Sequence, residues 1–206
     1  MSVSLNCNQG NVVKPNFKGS YQKTENGTPY YKTNSGVIAG SVLGGIEGLG
    51  ALSNFMRKRT FEGLNAFATA IAAVGCGAII DNIRNKNAAK AADEIRQVGL
   101  RKAIEADDHV DISRSGRGYY ESNDGAKHGW KLGALVGLVV GTASVFSKDF
   151  QQYANKELKN AGLPKNAKVA PAICGILGSG AISALGGFIM GKIADHNANN
   201  DARKHA

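Results

Sequence analysis

A Tyr-Tyr pair followed by glycines at every fourth position occurs twice in this chain. The first copy runs from Tyr30 to Gly48 and the second from Tyr119 to Gly137, at a constant offset of 89 residues. Chance would rarely place a tyrosine pair and four glycines at one constant offset. A fixed offset of this kind is the signature of a chain built from equivalent units. The sequence therefore predicts two halves that share one architecture.

The glycine spacing predicts close packing between helices. Glycine at every fourth residue leaves one face of a helix without side chains, so that another backbone can approach it, as in the small-residue interfaces of membrane helices. A dinucleotide site is not indicated, because that motif needs a preceding strand and a tight turn. We predict helix-packing contacts at Gly36, Gly40, Gly44, Gly48, Gly125, Gly129, Gly133, Gly137, Gly141, Gly187 and Gly191.

The large apolar residues are concentrated in four blocks, with most charges between them. The blocks cover residues 36–56, 61–80, 129–146 and 169–193. Each is close to the roughly 20 residues that a membrane-spanning helix needs. A soluble core made of glycine and alanine would bury little apolar area, whereas a bilayer removes that difficulty. We therefore predict an all-α fold in which four glycine-rich transmembrane helices form two tandem helical hairpins.

Polar segments separate and flank the predicted hairpins. Asn26-Gly27, flanked by Thr and Tyr, predicts a short N-terminal β-hairpin with a type I′ turn. Gly116 and Gly118 lie in a polar run and predict a loop. The predicted organisation is a polar N-terminal segment at 1–35, a first helical hairpin at 36–81, an amphipathic connector at 82–124, a second hairpin at 125–195 with an inserted amphipathic helix at 148–161, and a polar tail at 196–206.

The charge distribution favours lipid over nucleic acid as the partner. The formal net charge is +9, but the basic residues are spread over every polar segment rather than forming one stripe. An even number of spans in each half places both termini on the same side of the membrane. Counting basic residues does not decide which side, because both connections carry several: Arg57, Lys58 and Arg59 on one, and Arg84, Lys86, Lys90 and Lys127 on the other.

Glu47 is an acid near the middle of the first apolar block. An ionised carboxylate there costs several kcal/mol unless it is paired or hydrated. Lys131 in the third block lies at a depth from which it could reach Glu47. We expect a structural ion pair or a protonated Glu47, with an intramembrane proton or ion site as the alternative.

Aromatic and amide residues mark the start of each half. The pairs Tyr30-Tyr31 and Tyr119-Tyr120, together with Trp130, are predicted to anchor the chain at a membrane interface. Asn34 and Asn123 stand where the N-cap of a helix belongs.

The sequence predicts no catalytic or metal site. It carries no Ser-His-Asp, Cys-His, HExxH or P-loop pattern, so we expect neither an enzyme, nor a cofactor, nor a small-molecule substrate. The acidic run at 105–111 lacks the EF-hand spacing and is expected to be a solvated loop. No disulfide framework is expected, because no CxxC spacing joins the three cysteines, Cys7, Cys76 and Cys174.

The glycine spacing of the four predicted helices resembles that of glycine-zipper membrane proteins, which include pore-forming and oligomerising helices. It is also similar to the four-helix subunits of the mitochondrial inner-membrane protein translocase. The diagnostic charged motif of that family has no match here, so no functional residues are carried over. The expected function is that of a non-enzymatic integral membrane scaffold or assembly component, which associates with itself or with other membrane proteins. The alternatives are a pore-forming or holin-like permeabiliser and a soluble or peripheral helical module.

Overall fold

The computed structural model describes residues 19–57 and 59–205. The first 18 residues of the predicted N-terminal segment, with Cys7, lie outside this part, as does Lys58 of the basic connection. The described chain is mostly helical, as predicted. Its helices are α1 (Ser35–Met56), α2 (Thr60–Val98), α3 (Leu100–Ala106), α4 (Asp124–Val145), α5 (Lys148–Asn160) and α6 (Val169–His205), with a short 3₁₀ helix at Lys165–Lys168 before α6.

Four long helices form two antiparallel pairs. In the first pair, Gly36 of α1 lies against Gly77 of α2. Gly44, eight residues later in α1, lies against Ala70, which comes earlier in α2, so the two helices are antiparallel. In the second pair, α4 runs against α6 in the same manner. The pairs also contact each other, α2 against α4 and α1 against α6. The four helices therefore form a bundle, in which we call α1–α2 the first helical hairpin and α4–α6 the second.

Two of these helices are longer than the apolar blocks within them. α2 has 39 residues and continues through the first part of the predicted connector, which is rich in alanine, lysine and glutamate and favours helix. It ends at Gly99, whose φ of +87° suits glycine. Residues 196–205, predicted as a polar tail, continue α6, and basic residues in its last turn complement the helix dipole.

The predicted N-terminal β-hairpin is present, with a different turn. β1 (Ser20–Lys23) pairs antiparallel with β2 (Pro29–Lys32). The Gly27 amide donates to the Thr24 carbonyl at 2.9 Å, so the turn is centred on Glu25 and Asn26 rather than on Asn26-Gly27. Gly27 follows with a φ of +77°. The strands are thus joined by five residues, and the predicted two-residue type I′ turn is wrong.

A second β-hairpin precedes the second helical hairpin. β3 (Val110–Ile112) pairs with β4 (Gly118–Tyr120). The loop predicted at Gly116 and Gly118 is present at Gly116, which lies in the turn, but is wrong for Gly118, which begins a strand. The connection repeats that of the first β-hairpin: the Gly116 amide donates to the Ser113 carbonyl at 3.0 Å, and Gly116 has a φ of +80°. No Asn-Gly pair marks this turn and the strands have three residues each, so local sequence patterns do not predict this hairpin.

The two β-hairpins pack on the polar ends of α2 and α6, and we call this assembly the head (residues 19–34, 82–123 and 196–205). The Thr24 hydroxyl donates to Asp93 of α2 at 2.7 Å, and the Arg96 guanidinium donates to the Asn26 carbonyl at 2.6 Å. At the end of α6, the His205 ring stacks on Tyr31 with the ring centroids 5.8 Å apart. The first β-hairpin is thereby fixed to both helices.

Three helices, α1, α2 and α6, are long and apolar enough to cross a membrane. α4 meets the same condition only together with α5, which is bent by 72° from it. Asp124, Lys127 and Lys131 in the first turns of α4 lower its apolar content. The prediction of spanning helices is therefore supported for three, and for a fourth if α4 and α5 form one bent span.

Candidate functional site

The N-terminus of α1 is capped by a residue from α2. The Asp81 carboxylate accepts the amides of Gly36 and Val37, each at 2.8 Å. These amides have no partner within α1, because the first turn of a helix leaves its N–H groups unsatisfied. Asn34 stands at the N-cap position but makes no side-chain cap hydrogen bond. The predicted cap is therefore wrong, and a carboxylate from the antiparallel helix takes its place.

The N-terminus of α4 is capped in the same way by α6. The Asp195 carboxylate accepts the amides of Gly125 and Ala126, each at 2.8 Å. Asn123, like Asn34, makes no side-chain cap hydrogen bond. Asp81 and Asp195 stand at equivalent positions of the two halves, 114 residues apart. The sequence alone predicted no contact for either residue.

Arg84 connects the two caps. Its guanidinium donates to Asp81 at 3.0 Å, to Asp195 at 2.7 Å and to the Ser122 hydroxyl at 3.1 Å. The side chain is 2% exposed. One cation thus faces two buried carboxylates, and the positive ends of the α1 and α4 dipoles offset the remaining negative charge. The equivalent position in the second half is Ala198, so a single arginine joins the two helical hairpins.

An asparagine beside each cap holds the strand that leads into the helix. Asn85 accepts the Thr33 amide at 2.9 Å and donates to the Thr33 carbonyl at 3.0 Å. Asn199 does the same with Ser122, at 2.8 and 2.9 Å. The two pairs stand at the same offsets, 114 and 89 residues, as the caps and the glycines. Equivalent positions therefore make the same hydrogen bonds in the two halves.

Asp124 adds a third buried carboxylate at this junction. It is 4% exposed and accepts the Asn87 amide and the Tyr120 hydroxyl, both at 3.0 Å. The Ser122 hydroxyl also lies 3.3 Å from it. Burial and the charge of Asp124 raise the pKa of Tyr120, which stays a neutral hydrogen-bond donor. The junction is therefore a polar network in which donors surround each carboxylate.

The tyrosine pairs belong to the head. Tyr119 is 7% exposed, packs against Ala202 and donates to Asp111 at 3.1 Å. Burial, followed by the charge of Asp111, raises the pKa of Tyr119 to about 12. Trp130 on α4, which was also predicted to lie at a membrane interface, is 47% exposed.

Ten of the eleven predicted packing glycines lie directly against a neighbouring helix. A methyl group at Gly36 would lie 2.5 Å from the Gly77 carbonyl oxygen, and one at Gly141 would lie 2.9 Å from the Ser179 Cβ. Gly48 differs, because nothing lies within 4 Å of where its Cβ would be. The close contacts also involve Gly40, Gly44, Gly125, Gly129, Gly133, Gly137, Gly187 and Gly191.

A cavity of about 260 Å³ lies between the two helical hairpins. Its walls come from α1, α2, α4 and α6 and consist mostly of glycine and alanine, and Glu47 and Thr69 lie at the end away from the head. Glu47 is half-buried and has no hydrogen bond or ion pair within the described chain. Lys131 is exposed, with its ammonium 5.8 Å from the Trp130 ring centroid. The two predicted partners do not form an ion pair.

The acidic run after α3 is divided among separate contacts. Ligand atoms of Asp107, Asp108 and His109 lie within 4.8 Å of one another. Asp111 is held by Tyr119, and Glu105 lies 3.9 Å from Arg101. Cys76 and Cys174 are free thiols.

Comparison with known proteins found no matching family model, no matching curated protein and no matching solved structure.

Proposed function

We propose that the chain is a non-enzymatic integral membrane protein, a duplicated pair of glycine-packed helical hairpins that acts as a scaffold or assembly component. The observation that carries the proposal is the arrangement of side chains across the bundle. Glycine and alanine face the neighbouring helices, whereas large apolar residues point outward, with Leu135 63% and Ile182 76% exposed. Water would leave this apolar surface unfavourably hydrated, while lipid chains match it.

The dimensions of α1 fit a bilayer. From Gly36 to Met56 the helix would extend about 31 Å at 1.5 Å per residue, close to the roughly 30 Å hydrocarbon thickness. Arg57 follows at one end, and the polar junction around Asp81 lies at the other. In this arrangement the head lies outside the membrane, and both ends of the described chain are on its side.

Alkaline carbonate extraction tests membrane insertion. Membranes from cells that express the full chain are washed with carbonate and then with detergent. The proposal expects the chain in the pellet until detergent is added. Its appearance in the carbonate supernatant would reject membrane insertion and favour a soluble or peripheral helical module.

A pore-forming or holin-like permeabiliser is the second candidate, and the central cavity favours it. The cavity follows α1 from Gly36 to Glu47, about 16 Å at 1.5 Å per residue, and Glu47 lines it without an ionic partner. An unpaired carboxylate that faces a cavity among spanning helices is a typical element of an ion path.

Dye release from liposomes that contain the purified chain distinguishes the two candidates. Leakage that is lost in Glu47→Gln and kept in Glu157→Gln, an exposed acid on α5, would support the pore. Tight liposomes at high protein density would reject the pore and leave the scaffold.

A further inference from the structure

We infer that the end of the bundle opposite the head binds the phosphate headgroups of anionic phospholipids. The surface is defined by Arg57, Arg59, Lys148, Lys156 and Lys159, and we call it the basic end. The inference rests on the proposed membrane insertion and adds the lipid class that this end recognises.

The two helix connections lie together at this end. The Asn65 side-chain amide near the start of α2 donates to the Ser144 hydroxyl near the end of α4 at 3.3 Å. Arg57 and Arg59 stand just before α2, and Lys148 stands just after α4. Cations from both helical hairpins therefore border the same end of the bundle.

α5 turns across this end. The Ser147 hydroxyl caps the helix by accepting the Phe150 amide at 3.1 Å, and the axis of α5 departs from that of α4 by 72°. One face packs inward through Ala154 and Leu158, which are 1% and 6% exposed. If α4 runs along the membrane normal, α5 lies nearly in the membrane plane.

The lysines of α5 lie away from the face formed by Ala154 and Leu158. Lys148, Lys156 and Lys159 fall within about one quarter of the helical circumference at 3.6 residues per turn, and all three are exposed. None of these lysines has an ion pair within the described chain, and Arg57 has none either. Arg59 pairs with the half-buried Glu62 at 3.5 Å. These cations are free to bind anions.

Charge distinguishes this end from the head. The connections at 57–59 and 148–168 carry eight lysines and arginines against two acids, whereas the head carries twelve against nine. Exposed Phe146, Tyr153 and Leu163 stand beside the lysines. Aromatic and apolar groups next to basic ones are the composition of a surface that lies at an anionic lipid interface.

Native mass spectrometry of the full chain in dodecyl maltoside micelles tests the inference. Dioleoylphosphatidylglycerol and dioleoylphosphatidylcholine are added in equal amounts, and the bound lipids are counted. The basic end predicts preferential retention of phosphatidylglycerol. In Lys148→Gln/Lys156→Gln/Lys159→Gln the preference should fall, by about fivefold for each lysine at roughly 1 kcal/mol apiece.

The matched control replaces three exposed lysines on the head side of the bundle, as Lys86→Gln/Lys90→Gln/Lys127→Gln. It should keep the preference and, like the test variant, the helical circular dichroism of the parent. Equal retention of the two lipids, or an equal loss in both triple variants, would overturn the inference. A chain that stays soluble without detergent would instead reject the membrane function on which the inference rests.

Discussion

The guanidinium of Arg84 donates to the carboxylate of Asp195 across the boundary between the two helical hairpins, at 2.7 Å and with both side chains buried. The same guanidinium also contacts Asp81, which caps α1, while Asp195 caps α4. One side chain therefore couples two helix N-termini that belong to different halves of the chain. Because of this coupling, loss of Arg84 should affect the caps of both α1 and α4.

Replacing Arg84 with alanine should destabilise the folded chain by about 3–5 kcal/mol, because it leaves two buried carboxylates without their cation. Unfolding in detergent, followed by circular dichroism, measures the change. Lys86→Ala, at an exposed position two residues along α2, should stay within about 0.5 kcal/mol. A double-mutant cycle isolates the pair: Asp195→Asn should cost less in the Arg84→Met background than in the parent. Additive effects would contradict the coupling.

The helix caps give a second prediction, since the sequence and the structure assign them to different residues. Asp81→Ala should destabilise the chain by about 1–2 kcal/mol or more, because two first-turn amides of α1 lose their acceptor. Asn34→Ala should change stability by less than about 0.5 kcal/mol, since its side chain caps nothing. Thermal unfolding of both variants in the same detergent makes the comparison. A larger loss of stability in Asn34→Ala than in Asp81→Ala would show that Asn34, and not Asp81, caps α1.

Local patterns predicted the parts of this fold that depend on neighbouring residues. Asn26-Gly27 indicated the first β-hairpin, and the amphipathic helix predicted at 148–161 is present as α5. The fourfold glycine spacing selected the faces that now lie against other backbones, apart from Gly48. These signals succeed because turns, caps and helix faces are set within a few residues along the chain.

The junction escaped prediction because its partners are distant in sequence. Asp81 lies 45 residues from Gly36, and Arg84 lies 111 residues from Asp195. A rule for capping examines the residues just before a helix, so it selected Asn34. The available signal was the repeat itself: Asp81 and Asp195 share an offset with Asn85 and Asn199, so two polar positions recur in both halves at the end of an apolar block, which indicates a shared contact.

The raised pKa of Tyr119 predicts a loss of stability in alkali. The unfolded phenol ionises near pH 10, whereas the folded one stays neutral to about 12, so the folded state holds its proton longer. Stability is fully present below about pH 10 and falls as the pH rises towards 12, by up to about 2 kcal/mol. Phenolate absorbance between pH 10 and 12 measures the ionisation, and unfolding experiments over the same range measure the loss of stability. Tyr119→Phe should make this slope shallower, while the raised pKa of Tyr120 keeps part of it. Tyr153→Phe on exposed α5 should leave the slope as in the parent, and an unchanged slope in Tyr119→Phe would contradict the assignment.

Adjacent glycines on α6 provide the sharpest test of backbone packing. A methyl group at Gly187 would collide with the carbonyl of Gly129, whereas one at Gly186 would meet nothing within 4 Å. Gly187→Ala should therefore force α4 and α6 apart and cost about 1–3 kcal/mol, the usual range for overpacking. Gly186→Ala should be neutral or stabilise the chain by about 0.5–1 kcal/mol, because alanine loses less entropy in a helix. Unfolding of both variants in detergent, with crosslinking to follow association, measures the difference. Equal effects at the two positions would show that contact with α4 does not restrict position 187 to glycine.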